Sequence, residues 1–242
     1  MNLYYTNYGD FYCLNNDIVF INELKRGKVH DENLVLNNII PFLQNDKSKI
    51  ILDIGSHIGS HSIMYANILN NCKIYAFEPQ HVLFNILNEN VKINNVENIK
   101  TFNTAVGHKI CKTSMSKYLY DGYNCEIDYN TNKILNYGGM QLGHNGEDVD
   151  MITIDSLNLP SCEYIKMDVE GAESLVLYGA LNTIRKYKPI IFFESTDKIV
   201  NNEMKELLHI DFEILHPTEI LINEGYTIQN IDAHNKLAMY IV

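Results

Sequence analysis

Two glycines and three carboxylates, set at the ends of apolar runs, are the residues of this chain whose types and spacing point to chemistry. The run Ile50-Ile51-Leu52 ends in Asp53-Ile54-Gly55, turns through Ser56-His57-Ile58 and enters a helical pattern at Gly59. A second run, Ile74-Tyr75-Ala76-Phe77, ends in Glu78-Pro79. A strand, a glycine turn, a helix and a strand tipped with a carboxylate make a nucleoside-cofactor site, with Glu78 placed to accept both ribose hydroxyls. A dinucleotide wants G-x-G-x-x-G, because the second glycine lets the backbone approach a pyrophosphate. His57 stands where that glycine would be. The pattern D-x-G-x-x-x-G instead suits S-adenosyl-L-methionine, which carries no pyrophosphate. Its methionine part can lie along the turn, where Asp53 or backbone groups meet its ammonium and carboxylate.

The third carboxylate belongs to Lys166-Met167-Asp168-Val169-Glu170-Gly171-Ala172-Glu173, at the carboxyl end of a later apolar run. Three carboxylates crowded at a strand-to-helix switch are costly unless solvated, capping or functional. Asp168 leaves the sheet first and is expected to face the crevice. Glu170 and Glu173 can equally favour the positive end of the following helix. Methyl transfer to a hydroxyl is an in-line displacement in which alignment supplies much of the catalysis. The hydroxyl also loses a proton, and a positioned base adds about 100- to 10,000-fold. The candidates are Asp168, Glu170, Glu173 and His144, the last in the glycine-rich stretch Gly138–Gly146. His57 and His61 flank the start of the first core helix, where His61 reads as turn packing and capping. A divalent metal held by Asp168 and Glu170 is an alternative route, but the ligand set is incomplete and no metal is predicted.

These residues need a frame to hold them. Lys49–Ile54 reads as the first core strand. Helix Gly59–Leu69 leads to strand Lys73–Phe77, and helix Val82–Ile93 to strand Ile99–Asn103. Strand Tyr164–Met167, helix Glu173–Ile184 and strand Ile190–Phe193 follow. Such alternation predicts an α/β fold, a doubly wound parallel sheet with helices on both faces. Phe212–Leu215 and Leu237–Val242, joined around Asn223-Glu224-Gly225, are expected to close it as an antiparallel hairpin. Residues 1–48 read as a cover: a hairpin over Phe11–Asn22 and a helix capped by Asp31 and running to Leu43. Residues 49–242 form the main domain, and residues 105–162 are too long for an ordinary connection. That insertion, with Tyr118–Tyr123 and the glycine-rich loop, is expected to shape the acceptor site.

Composition limits the partners. The chain has 242 residues, 46% hydrophobic and 20% charged, with a formal net charge of −11. An acidic chain disfavours nucleic acid. No run approaches the length of a membrane span, and the Tyr- and Asn-rich start is no signal peptide. Five cysteines without a CxxC pair predict reduced thiols in a cytoplasmic setting. Oligomeric state is left open.

Taken together, the motifs resemble the FkbM family of S-adenosylmethionine-dependent methyltransferases. The resemblance is carried by Leu52–Ser60, Phe77-Glu78-Pro79, Asn103-Thr104-Ala105-Val106-Gly107, Ile154-Asp155-Ser156-Leu157, Lys166–Glu173 and the strand Pro189–Glu194, and covers roughly residues 10–194. It implies a class I methyltransferase (Rossmann-like) fold, with a mostly parallel seven-stranded sheet. It also implies O-methylation of a hydroxyl, often on a sugar or secondary metabolite, so the expected partner is a small-molecule or glycan acceptor. Carried over by position, Asp53, Gly55, Ser56, His57, Gly59, Glu78 and Pro79 would hold the cofactor. Asn103, Thr104 and Ala105 would lie by the adenine, and Asp168 near the reacting methyl. The family's turn more often reads Gly-Ala-Asn, where this chain has Gly55-Ser56-His57. Two other readings stand beside it: a nicotinamide-dependent oxidoreductase, against which the missing glycine argues, and a catalytically silent cofactor-binding module.

Overall fold

The computed structural model describes residues 1–45, 47–119, 125–126, 136–195 and 200–240. Residues 120–123 of the aromatic motif and the last two residues of the expected final strand lie outside them.

The centre is a seven-stranded sheet. Its parallel part comprises β3 (Lys49–Ile54), β4 (Cys72–Phe77), β5 (Ile99–Phe102), β11 (Tyr164–Met167) and β12 (Ile190–Glu194), with β13 (Tyr226–Asn230) and β14 (Asn235–Tyr240) added antiparallel. The order is β13-β14-β12-β11-β3-β4-β5. β3 is buried along its whole length, as a strand covered on both faces must be. Its alternating side chains serve two cores. Ile51 joins Phe11, Met64 and Tyr65 on one face, while Leu52 and Ile54 join Val176 and Phe193 on the other. Helices α4 (Ser60–Ile68), α5 (His81–Ile93), α6 (Glu173–Tyr178) and α7 (Leu181–Tyr187) make the crossovers. Strand order reverses between β3 and β11, so the crevice above their carboxyl ends is where this topology places a ligand.

Residues 105–162 are more than a loop. β6 (Ala105–Val106), β7 (Cys111–Ser116) and β10 (Asn145–Ile152) form a second sheet, in the order β6-β10-β7. β8 (Tyr118–Leu119) pairs with β9 (Cys125–Glu126) beside it.

The ends of the chain depart from expectation. The hairpin lies earlier than Phe11–Asn22: β1 (Asn2–Thr6) pairs with β2 (Gly9–Cys13), and Ile18–Leu24 is a helix, α1. The β-branched run there is overridden by packing, with Ile21 and Leu24 buried in the core. The cover helix is broken into α2 (Glu32–Asn38) and α3 (Ile40–Leu43), because Pro41 cannot continue a helix. Asp31 does not cap α2; it adopts a left-handed φ of 52°. The helix expected over Glu173–Ile184 is likewise two, because Asp155 reaches in to cap α7 through the Asn182 and Thr183 N–H groups. Phe212–Leu215 is not a strand. Pro217 and the reciprocal His216–Glu219 cap start α9 (Pro217–Asn223) directly after it. The closing hairpin is therefore β13–β14, one element later, and α8 (Asn202–Leu207) precedes it.

One buried amide fastens the cover to the domain. Asn90 on α5 is fully buried; its Oδ1 accepts the Tyr12 N–H at 2.7 Å, and its Nδ2 donates to the Tyr12 and Ile58 carbonyls. Asn90→Ala leaves three backbone groups without their partner and is expected to cost about 3 kcal/mol, read as a lower urea midpoint.

Candidate active site

A cavity of about 1010 Å³ opens at the carboxyl ends of β3, β4, β11 and β12. Its walls come from four parts of the chain. The core contributes Gly55, Glu78, Lys166, Asp168 and Glu194; the cover contributes Phe20, His30 and Asp31; the insertion contributes Met115, Met140 and Leu142; and the turn between β13 and β14 contributes Asp232–Asn235.

The floor is the glycine turn. Gly55 has φ +77°, and a Cβ there would sit 1.8 Å from the Asp168 carbonyl oxygen, so only glycine lets the turn lie against the next strand. The Gly55 and Ser56 N–H groups donate to the Phe77 carbonyl, locking the turn to the end of β4. His57 takes the left-handed conformation, φ +51°, where the dinucleotide pattern has its second glycine. Three contacts hold this uncommon geometry. Its N–H donates to Glu78 Oε2 at 2.9 Å, its ring stacks on Phe20 at 3.9 Å between centroids, and Nε2 lies 2.9 Å from Asp17 Oδ2. The Asp17 contact is a close approach without the alignment of a hydrogen bond.

Glu78 is 3% exposed and lines the cavity. Each oxygen accepts one backbone N–H, from His57 and from Gln80, both at 2.9 Å. A carboxylate has about four acceptor positions, so two remain for donors arriving from the cavity. Burial pushes its pKa up to about 7, against the pull of His57 and the two amides. Asn103 donates to the Glu78 and Pro79 carbonyls and so fixes the loop that aims Glu78.

Beneath the floor lies a buried ammonium. Lys166 Nζ donates to the Gly55 carbonyl at 2.7 Å and sits 3.3 Å from Asp53 Oδ1 and 3.5 Å from Asp168 Oδ2. Burial works against its charge, but Asp53 and Asp168 more than compensate and hold it above the ordinary lysine value. Asp168, whose side chain is 45% exposed, opens into the cavity. Burial of its surroundings raises it, yet Lys166, His30 and His61 bring it below the usual carboxylate range. Asp168 is thus a persistent anion and a weak base. Glu173 turns back to accept the Val169 and Gly171 N–H groups, and burial pushes it up to about 8.

The structure brings Gly55, His57, Glu78, Pro79, Thr104, Ala105, Asp168 and Glu170 to the cavity. Asp53, Ser56, Gly59, Asn103 and His144 do not reach it. Asp53 is fully buried and spent on Lys166 and on the Ser62 hydroxyl at 2.6 Å, so it is no partner for a cofactor ammonium. Ser56 turns inward to the Asp53 carbonyl, and Gly59 faces Leu87. His144 is held by its backbone N–H to Glu203, away from the cavity, because the glycine-rich segment pairs along β7 and brings Gly138, Met140 and Leu142, but not His144, to the crevice. Phe20, His30, His61, Lys166, Glu194 and His234 line the cavity without having been singled out for it. Glu194 was within reach of sequence reasoning, since it ends a parallel strand beside Asp168. Phe20 and His30 carry no local signal. Asp168, Glu170 and Glu194 each offer an oxygen within 4.8 Å of the others.

A family model for the methyltransferase FkbM domain matches residues 53–225. The chain belongs to the FkbM methyltransferase family. Among solved structures, it is similar to Methyltransferase FkbM from Methylobacillus flagellatus KT, with 18% identity and a TM-score of 0.51 over 86% of this chain. It spans 47% of that protein's length. It is also similar to Precorrin-6y C5,15-methyltransferase from Geobacter metallireducens GS-15, with 13% identity, a TM-score of 0.50, and coverage of 96% of this chain and 94% of that one. No curated protein matches the sequence. The fold of this FkbM-family chain is the class I methyltransferase α/β fold.

The raised Glu78 pKa has a thermodynamic consequence. Its contribution to stability is complete below the ordinary carboxyl value of 4.5 and is lost as pH rises through about 7. Glu78→Gln removes this loss. In paired thermal melts the variant is expected to gain on the parent protein between about pH 5 and pH 8, by up to about 3 kcal/mol.

Proposed function

We propose that the protein is an S-adenosylmethionine-dependent O-methyltransferase acting on a hydroxyl of a sugar or glycan. The observation that supports this most directly is Glu78, a buried carboxylate with acceptor positions left over in a cavity of about 1010 Å³ that the anionic Asp168 also lines. The residues fit the cofactor. Glu78 suits a ribose diol, Ala105, Val106 and Phe77 offer an apolar wall for adenine, and Gly55 leaves room above the turn. S-adenosylmethionine, when bound, supplies a methyl group on a good leaving group.

The chain's own residues do the rest. Asp168 and Glu170, at the end of β11, orient the acceptor by taking hydrogen bonds from its hydroxyls. Asp168, held ionised by Lys166, also favours positive charge beside it. The carboxylates of Asp168, Glu170 and Glu194 accept hydrogen bonds, which suits an acceptor rich in hydroxyl donors. Phe20, Met115, Met140 and Leu142 roof the cavity and exclude water. The FkbM family match favours a methyl donor over a nicotinamide. A cytoplasmic setting is supported by the free thiols of Cys13, Cys72, Cys111 and Cys162. No helix among the described residues is long and apolar enough to cross a membrane.

Calorimetry with S-adenosylhomocysteine tests the cofactor. Binding is expected, and Glu78→Ala is expected to weaken it about 10- to 100-fold, as the loss of hydrogen bonds to a charged acceptor would. The absence of binding to the parent protein would refute the reading. Transfer of labelled methyl from S-adenosylmethionine to a panel of neutral sugars and glycans tests the acceptor. Asp168→Asn is expected to keep S-adenosylhomocysteine binding and lose turnover; unchanged turnover removes Asp168 from that role.

A further inference from the structure

His61 occupies the first turn of α4, two residues beyond Gly59. It is 7% exposed and lines the cavity. Its Nε2 lies 2.8 Å from the backbone carbonyl oxygen of His30. A carbonyl oxygen only accepts, so Nε2 carries the hydrogen and, in the neutral ring, Nδ1 carries the lone pair. Among the described residues Nδ1 has no hydrogen-bond partner, and it is not sealed from solvent. The groups facing the ring are Asp53 from β3, Lys166 from β11, Asp168 from the loop beyond it, His30 from the cover and Tyr65 one turn along α4. Burial, and then the Lys166 ammonium, hold the imidazole below its ordinary pKa, so it is a neutral acceptor.

If Glu78 takes the nucleoside end of the cofactor, the amino-acid end runs along the turn toward the start of α4. It needs an acceptor for its ammonium and donors for its carboxylate. Asp53 is unavailable, being fully buried and bound to Ser62 and Lys166. The Gly59 cap of α4 makes no side-chain bond to the helix, which leaves first-turn N–H groups for a carboxylate. We propose that His61 Nδ1 accepts an N–H from the α-ammonium of the cofactor's methionine end, making His61 the residue that distinguishes a complete cofactor from its truncated nucleoside. The proposal rests on the cavity being an S-adenosylmethionine site.

The test is calorimetry on the full chain with two probes, S-adenosylhomocysteine and 5′-methylthioadenosine, which lacks the amino-acid end. His61→Ala is expected to weaken S-adenosylhomocysteine about tenfold or more and to leave 5′-methylthioadenosine unchanged. His61→Gln, whose amide oxygen can still accept, is expected to recover part of the loss. Equal weakening of both probes, or no weakening of either, overturns the proposal. A second measurement needs no variant. Protonating His61 turns an acceptor into a cation, so the preference of the parent protein for S-adenosylhomocysteine over 5′-methylthioadenosine should shrink as pH falls from the ordinary histidine value of 6.5 through the lowered His61 pKa. A preference that grows as pH falls also overturns it. Failure of the parent protein to bind either probe overturns both this proposal and the reading of the cavity, whereas intact binding with an indifferent His61 overturns the proposal alone.

Discussion

The ammonium of Lys166 is the interaction on which the site depends. It reaches from the middle of the sheet to the Gly55 carbonyl, and its charge is shared by Asp53 below and Asp168 above. Two things are fixed at once: the path of the glycine turn and the ionisation of the cavity-facing aspartate. A buried ion pair is weak evidence for stability, because desolvation offsets most of its attraction. Here its effect is positional. Gly55 and Asp168 meet so closely that a methyl group cannot fit between them, and Lys166 is the side chain that ties both to one point. Asp53, at the most prominent place in the sequence pattern, acts through Lys166 rather than on a ligand.

A second constraint runs through His57. Its left-handed backbone is uncommon for a residue with a Cβ, and the cost is offset by contacts from outside the core domain. Phe20 stacks on the ring and Asp17 lies against Nε2, both from the cover. The same backbone geometry aims the His57 N–H at Glu78, so the cover helps to hold the carboxylate that faces the cavity. Asn90 completes the arrangement by hydrogen-bonding β2 and the Ile58 carbonyl with one side chain.

Much of this was legible in the sequence, and the reasons differ by residue. The parallel strands were read closely because buried strands are continuous apolar runs flanked by turn residues, as Ile50–Ile54 and Tyr164–Met167 are. The ends of the chain were misread where local preference and packing disagree. Ile18–Ile21 looks like a strand and packs as a helix. Pro41 and Asp155 break helices that periodicity alone would continue. Phe212–Leu215 has a strand's composition but pairs with no strand among the described residues. At the site, Gly55, Glu78 and Asp168 were legible because topology places strand ends in the crevice. Asp53 was not, since nothing in the local motif shows that Lys166, more than a hundred residues later, claims its carboxylate. His144 was misplaced because a loop's path depends on its strand partners. Phe20 and His30 lie far from the sheet in sequence, and only the folded cover brings them to the cavity.

The four-part wall of the cavity has one more implication. The segment shared with the FkbM family runs from residue 53 to residue 225. Phe20, His30 and Asp31 precede it, and Asp232–Asn235 follow it. The inherited unit therefore supplies the turn, Glu78 and Asp168, while part of the enclosure is built by chain that lies beyond it on both sides. Those flanks are not independent of the core, because Asp17 and Phe20 hold His57 and β13–β14 complete the sheet. A substitution at Asp31 or His234, whose side chains line the chamber outside the shared segment, would reshape its outer wall, and with it the range of molecules admitted, without altering a residue of that segment.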